Sequence, residues 1–147
     1  MKLSTKARYG TRALLDVALH GGERPVLLRD IARRQQISPL YLERVITPLV
    51  ASGIIRSTRG AGGGICLAKS PQEIRLSEVV CLLEGPIALV ECINDPKYCT
   101  RSGACVTQEV WDELGKAMAG VLESTTLQDL VERQKTKQQS KEEMYYI

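Results

Sequence analysis

A chain of 147 residues, 44% hydrophobic and 25% charged, is long enough to bury one good core or two small ones and too apolar to stay disordered. The N-terminal stretch MKLSTKARYG has no apolar run behind its positive charges, and nowhere do eighteen apolar residues follow one another; neither secretion nor membrane spanning is expected, and a cytoplasmic protein is. The net charge of +3 conceals an asymmetry, because residues 1–70 carry 12 Lys or Arg against 4 Asp or Glu while the remaining 77 carry 8 against 13. A basic unit suited to a polyanion is thus joined to an acidic one.

In the basic half, STKARYGTRALLDVALHGG places Ala7, Leu14, Leu15, Ala18 and Leu19 on one helical face, with Ser4 as cap and Gly21-Gly22 as stop. A shorter helix is predicted over Leu28 to Arg34. After the break QQIS, Ser38 caps SPLYLERVITPLVAS with Pro39 at the first helical position, and Gly53 closes that helix. Pro48 inside it is expected to kink or shorten it. Two helices joined by a four-residue turn form the pattern of a helix-turn-helix. The run GIIRSTRGAGGGICLAKS then reads as a strand (Ile54 to Ser57), a glycine-rich tip and a return strand (Ile65 to Ala68). A phosphate-binding loop needs GxxxxGK[ST] ahead of a helix, and neither the Lys nor the helix is present. The ribbon is therefore read as a wing, with Arg56 at its stem and Arg59 beside Gly60 at its tip, where long cations suit a narrow minor groove.

The acidic half begins near Pro71. LSEVVCLLEG gives a short helix ended by Gly85-Pro86. From Val106 an apolar stripe (Val106, Val110, Leu114, Ala117, Met118, Val121, Leu122) predicts an amphipathic helix of about five turns. So small a protein can hardly cover that stripe itself, so Val110, Leu114, Met118 and Val121 are expected to pair with a second copy, as suits a DNA site with two-fold symmetry. A last short helix, TTLQDLVERQ, is capped by Thr126. The expected divisions are a winged helix-turn-helix over 1–70, the cysteine loop and dimerisation helix over 71–134, and a polar C-terminal tail over 135–147. The fold class is mainly α with a small two-stranded β wing.

Between the two acidic-half helices lies CINDPKYCTRSGAC, three cysteines in a polar loop, out of five in the chain. An odd number of thiols in a reducing compartment argues against a disulfide framework. The spacing Cys92-x6-Cys99-x5-Cys105 is wider than the paired ligands of structural zinc sites, and thiolates on a wrapping loop suit zinc, copper or an iron-sulfur cluster. Cys66 and Cys81 follow the apolar pattern of a strand and a helix and are expected in core packing. A thiol oxidoreductase would carry CxxC or a Cys beside a base, and neither is present, so no enzyme is expected.

MKLSTKARYGTRALLDVAL, DIARRQQISPLYLERVITPL, RGAGGGICLA and the three-cysteine loop before a Trp together resemble the Rrf-two family of bacterial transcription regulators, from Met1 to about Glu132. The resemblance implies a homodimer that binds duplex DNA at a pseudo-palindromic operator and holds an iron-sulfur cluster, 2Fe-2S in preference to 4Fe-4S, on Cys92, Cys99 and Cys105. It departs from the cluster-binding branches at the fourth ligand: where one branch has a His three residues after the last cysteine, Gln108 stands here. Where another has a carboxylate on the first helix, Arg8 stands here. His20 is read as a helix C-terminal residue. The fourth ligand is unassigned. A cluster-free branch that represses sulfur or cysteine metabolism through a partner protein or effector is the alternative, with LLEGPI and ESTTLQDL carrying that likeness. The expected DNA-contacting set is Ser38, Leu40, Tyr41, Glu43, Arg56, Arg59 and Gly60. Glu43 would accept from cytosine N4 and repel phosphate at wrong sequences, whereas Tyr41 leans toward packing.

Overall fold

Ser4 opens the first helix in the computed structural model, which describes residues 2–146. Its side chain accepts from the Ala7 N–H at 3.2 Å, and α1 (Thr5–His20) runs on to Gly21. Of the apolar residues expected on its inner face, Ala7 and Leu14 are buried and Leu15 and Ala18 pack partly against the core; Gly10, Ala13 and Val17 complete that face. Next come α2 (Leu28–Gln35) and α3 (Pro39–Ala51). Between them Gln36 adopts the left-handed conformation (φ 54°), so that the Ile37 N–H reaches back to the Ala32 carbonyl at 2.9 Å and turns the chain toward α3. Ser38 caps α3 by accepting from the Tyr41 N–H at 3.2 Å. Pro48 does not shorten α3 as expected. It lies in the final turn, where the Ser52 N–H still reaches the Pro48 carbonyl at 3.0 Å and the loss is confined to the proline's own donor.

The wing is a two-stranded antiparallel ribbon, β1 (Ile55–Thr58) with β2 (Gly64–Leu67), in which Ile55 faces Leu67 and Ser57 faces Ile65. Val26 joins its edge through two 2.8 Å bonds exchanged with Ile65. At the base of the tip, a Cβ on Gly63 would stand 2.5 Å from the Thr58 carbonyl oxygen, and one on Gly64 (φ 147°) would stand 2.5 Å from that of Val26. Only glycine fits there.

One core serves both halves of the sequence. Residues of α1, α2, α3 and the wing share it with Ile74, with Val79 and Leu83 of α4 (Leu76–Glu84) and with Leu127 of α7 (Leu127–Tyr145). Gly10 lets α1 and α4 close together, since a Cβ there would run into Leu83 Cδ1 and stand 3.2 Å from Val45 Cγ1. Beyond α4, a single turn, α5 (Glu91–Asn94), and two 3-10 turns (96–98 and 102–104) carry the chain to α6 (Val106–Ser124). Thr126 and Asp129 form a reciprocal cap on α7, at 2.7 and 3.2 Å. The polar tail expected over 135–147 is instead helical as far as Tyr145. Apolar periodicity ends at Val131, but ERQKTKQQSKEEMY contains no Gly or Pro and is rich in strong helix formers, so the helix continues as a solvated rod. Cys81 is exposed on α4 rather than in the core, and Cys66 is half-buried.

Asp16 on α1 is 1% exposed. Arg34 of α2 grips it with Nε at 3.2 and 3.0 Å and Nη2 at 2.5 Å, and Gln35 Nε2 donates at 2.8 Å. Burial pushes the Asp16 carboxyl up, yet the hydrogen bonds from Arg34 and Gln35, with the charge of Arg34, outweigh it and hold it below its ordinary 3.8. A depressed carboxyl stabilises the fold above about pH 4, and this contribution disappears as pH falls through the lower native value. Asp16→Ala leaves Arg34 unpaired and is expected to cost about 3 kcal/mol at pH 7, the low end for a buried pair because the Arg34 side chain keeps 28% exposure. Urea unfolding at pH 7 and pH 3 checks it: the gap between parent and variant narrows at the lower pH.

Candidate functional site

The first turn of α3 and the wing tip are both exposed. Ser38 is consumed as the cap, which sets the direction of α3. Leu40 is 64% exposed, and Glu43, one turn further on, is exposed on the same side. Among the described residues Glu43 has no ion-pair partner, Arg44 beside it included. Tyr41 points inward, half-buried, and meets the Tyr9 ring edge-on at 5.9 Å. Arg59 and Gly60 are exposed at the tip. Arg56 lies opposite Cys66 in the ribbon and lines a recess with Gly21, Pro25 and Lys69, away from the tip.

Residues that the sequence did not single out tie α1 to the end of α2, just ahead of α3. Arg12 of α1 donates from Nε to Gln35 Oε1 at 3.0 Å and from Nη2 to the Gln35 carbonyl at 2.6 Å. Gln35 is tied in turn to Asp16. The available signal was an Asp among the apolar residues of one helix and an Arg-Gln pair ending the next.

The cysteine loop is compact and built from turns. Cys92 lies in α5, Cys99 follows the first 3-10 turn, and Cys105 is the residue from which α6 starts. The Ser102 N–H donates to the Cys99 carbonyl at 3.1 Å, and Gln108 Nε2 donates to the Cys92 carbonyl at 2.7 Å, so the first turn of α6 holds both ends of the loop. All three thiols are unpaired and half-buried. The Ser102 hydroxyl is buried without a hydrogen-bond partner, in a recess shared with Cys105 and Gln108. The Thr107 hydroxyl and the Gln108 N–H, aided by Arg101, hold the Cys105 thiol below its ordinary range. Among the described residues no three His, Cys, Asp or Glu side chains stand close enough together to hold a metal ion. The loop therefore offers ligands of the right kind that are not gathered.

From the loop, α6 runs across the outside of the core with no buried residue. Val106, Val110, Leu114, Ala117 and Val121 fall within about 80° of its circumference. Val110 is 54%, Leu114 37% and Val121 65% exposed. Met118 turns partly toward α4, in a recess with Leu3, Val80 and Leu122. No helix among the described residues is long and apolar enough to cross a membrane.

A capped helix-turn-helix followed by a glycine-tipped ribbon is the architecture of winged-helix, DNA-binding transcription regulators. The chain belongs to the Rrf2 family, whose profile, described as an iron-dependent transcriptional regulator, matches residues 3–133. It is 48% identical over 131 residues to the protein Rrf2 of Nitratidesulfovibrio vulgaris, covering 89% of this chain and 87% of that one. It is 37% identical to the regulator CymR of Bacillus subtilis over 147 residues, the full length of both. The structure of that protein, described as the global cysteine regulator of B. subtilis, superposes with a TM-score of 0.77 over 90% of this chain and 98% of that one. IscR of T. potens, at 38% identity, superposes with a TM-score of 0.74 over 90% and 88%.

Cys105 is expected to react with iodoacetamide at lower pH than an unperturbed cysteine does, because more of it is thiolate. Mass spectrometry of peptides from protein alkylated across pH 6 to 9 reads this as a rate profile displaced to lower pH.

Proposed function

We propose that the protein is a homodimeric regulator that binds a pseudo-palindromic duplex through α3 and the wing and responds to iron-sulfur or redox status through its cysteine loop. The observation that carries this reading is the junction at Cys105, where the last thiol of the loop is also the start of the unpartnered α6. Any change in what the thiols hold acts at once on the helix available for pairing. In a dimer, the placement of α6 sets the distance between two α3 helices, and half-site spacing is sensitive to that distance.

On DNA, Leu40 and Glu43 face the major groove, Ser38 orients the helix end, and Arg59 beside Gly60 enters the minor groove. Tyr41 supports α3 from behind and Arg56 steadies the stem of the wing. Lys and Arg contacts supply most of the affinity, which therefore falls steeply with salt. A cytoplasmic setting keeps the thiols reduced and suits this role.

Cys92, Cys99 and Cys105 would hold the cluster, 2Fe-2S in preference to 4Fe-4S, and the thiolate bias of Cys105 suits a ligand. When bound, such a group supplies a charge that changes with oxidation and a lesion when iron is lost. The residues themselves supply soft donors, a helix start and the Gln108 bond that ties the Cys92 carbonyl to the first turn of α6. A second reading, a cluster-free repressor of sulfur or cysteine metabolism acting through a partner or effector, is favoured by the full-length match to CymR and by the ungathered thiols.

Anaerobic purification separates the two readings. The cluster reading expects visible absorption with bound iron and sulfide, lost in Cys92→Ala, Cys99→Ala and Cys105→Ala and kept in Cys66→Ala and Cys81→Ala. A colourless, iron-free protein that still binds DNA supports the second reading. Pairing through α6 is tested with Leu114→Asp, which places a carboxylate in the apolar seam at a cost of several kcal/mol. Sedimentation is expected to show a monomer, and an unchanged dimer moves the interface elsewhere.

A further inference from the structure

We propose that Arg12 and Gln35 are positioning residues: a clasp between α1 and the end of α2 that fixes α3 and thereby sets how well the protein tells one DNA sequence from another. This rests on α3 being the helix that reads DNA, and neither side chain needs to touch DNA.

Tyr9, Arg12 and Asp16 lie along one face of α1, at the spacing of successive turns. Asp16 takes Gln35 Nε2 at 2.8 Å, and Arg12 takes both the Gln35 side-chain oxygen, at 3.0 Å, and its backbone carbonyl, at 2.6 Å. Gln35 is thereby held from its side chain and its backbone. It is the last residue of α2, and the next, Gln36, sits at φ 54°, where a residue with a Cβ is strained. Strain of this kind persists only when the surroundings fix it. Two residues later Ser38 caps α3. The same Arg12 guanidinium lies 5.3 Å from the centroid of the Tyr9 ring, and Tyr9 meets Tyr41, in the first turn of α3, edge-on at 81°. Arg12 thus bears on both ends of the turn that aims α3.

Base readout depends on the angle and depth of α3, whereas phosphate attraction depends mainly on charge. Loosening the clasp should therefore lower affinity for a preferred sequence and leave non-specific binding alone. A direct phosphate contact by Arg12 would do something different: removing it would weaken every sequence alike and lower the salt slope by about one.

The test uses the full chain, the duplex that the parent enriches from a random-sequence library, and a shuffled duplex of the same length. Arg12→Ala and Gln35→Ala are each expected to weaken binding to the enriched duplex about tenfold. Binding to the shuffled duplex should stay within about twofold, the salt slope should be unchanged, and the double variant should be no worse than either single one, as for residues acting in one unit. Arg12→Lys, which keeps the charge and loses the planar fork, should show the same loss of discrimination even if Gln35→Ala folds poorly. An Arg12→Ala protein that weakens on both duplexes with a shallower salt slope makes Arg12 a phosphate contact and overturns the clasp. So does an Arg12→Ala protein that discriminates as the parent does. A parent that enriches no duplex overturns the reading of α3 itself, and the clasp with it.

Discussion

The whole basic half turns on a carboxylate that has been taken out of water. Asp16 is 1% exposed in α1, and an isolated buried charge is costly enough that it must be answered. Arg34 and Gln35 answer it from the last turn of α2. Because they are neighbours at the helix end, the point at which α2 stops is fixed against α1. The left-handed Gln36 and the capped start of α3 follow from that point. Apolar packing alone tolerates small slides between helices, but a two-pronged Arg-carboxylate bond has one good geometry. A buried ion pair is a weak source of net stability, and what this one adds is a defined geometry between α1 and the last turn of α2.

Around that fixed point the molecule divides by burial rather than by sequence. α4 and the start of α7 belong to the same core as α1, α2, α3 and the wing, closed by the approach of Leu83 to Gly10. α6 does not. It touches the core along one side and leaves the adjoining stripe uncovered. The buried core thus underlies α3 and the wing, whereas the exposed stripe of α6 carries the cysteine loop at its N-terminal end. On the proposed reading, a change at the thiols would reach α6 directly, through Cys105, and α3 only through the shared core.

Features written in local chemistry were legible in the sequence. Ser38-Pro39 gave the start of α3, the glycines gave the wing tip, and the stripe from Val106 gave α6 at nearly its full length, because caps, turns and periodicity act over a few residues. What depends on distant partners was not. Asp16 looks like a solvated charge until Arg34 is brought to it, and Arg12 is indistinguishable in sequence from Arg8, which lies on the same helix and only approaches the Tyr9 ring. Cys81 was misread because a short apolar helix has an outside as well as an inside. The end of α7 was misread for the opposite reason: a helix that packs on nothing has no apolar rhythm, and only its composition betrays it. The cysteine spacing was plain, yet spacing says nothing about whether the thiols are drawn together, and here they stand apart.

The wing separates what must stay from what is free to vary. Gly63 and Gly64 are pressed against backbone oxygens of Thr58 and Val26, so a mutation to any larger residue there would deform the ribbon. Gly62, one residue earlier, would meet nothing within 4 Å. Arg59 and Ala61 are likewise in the open. Side chains can therefore be exchanged at three tip positions without disturbing the ribbon beneath them, where only glycine fits. If the tip reads DNA as proposed, a change of target is then sterically open to single substitutions that leave the scaffold intact.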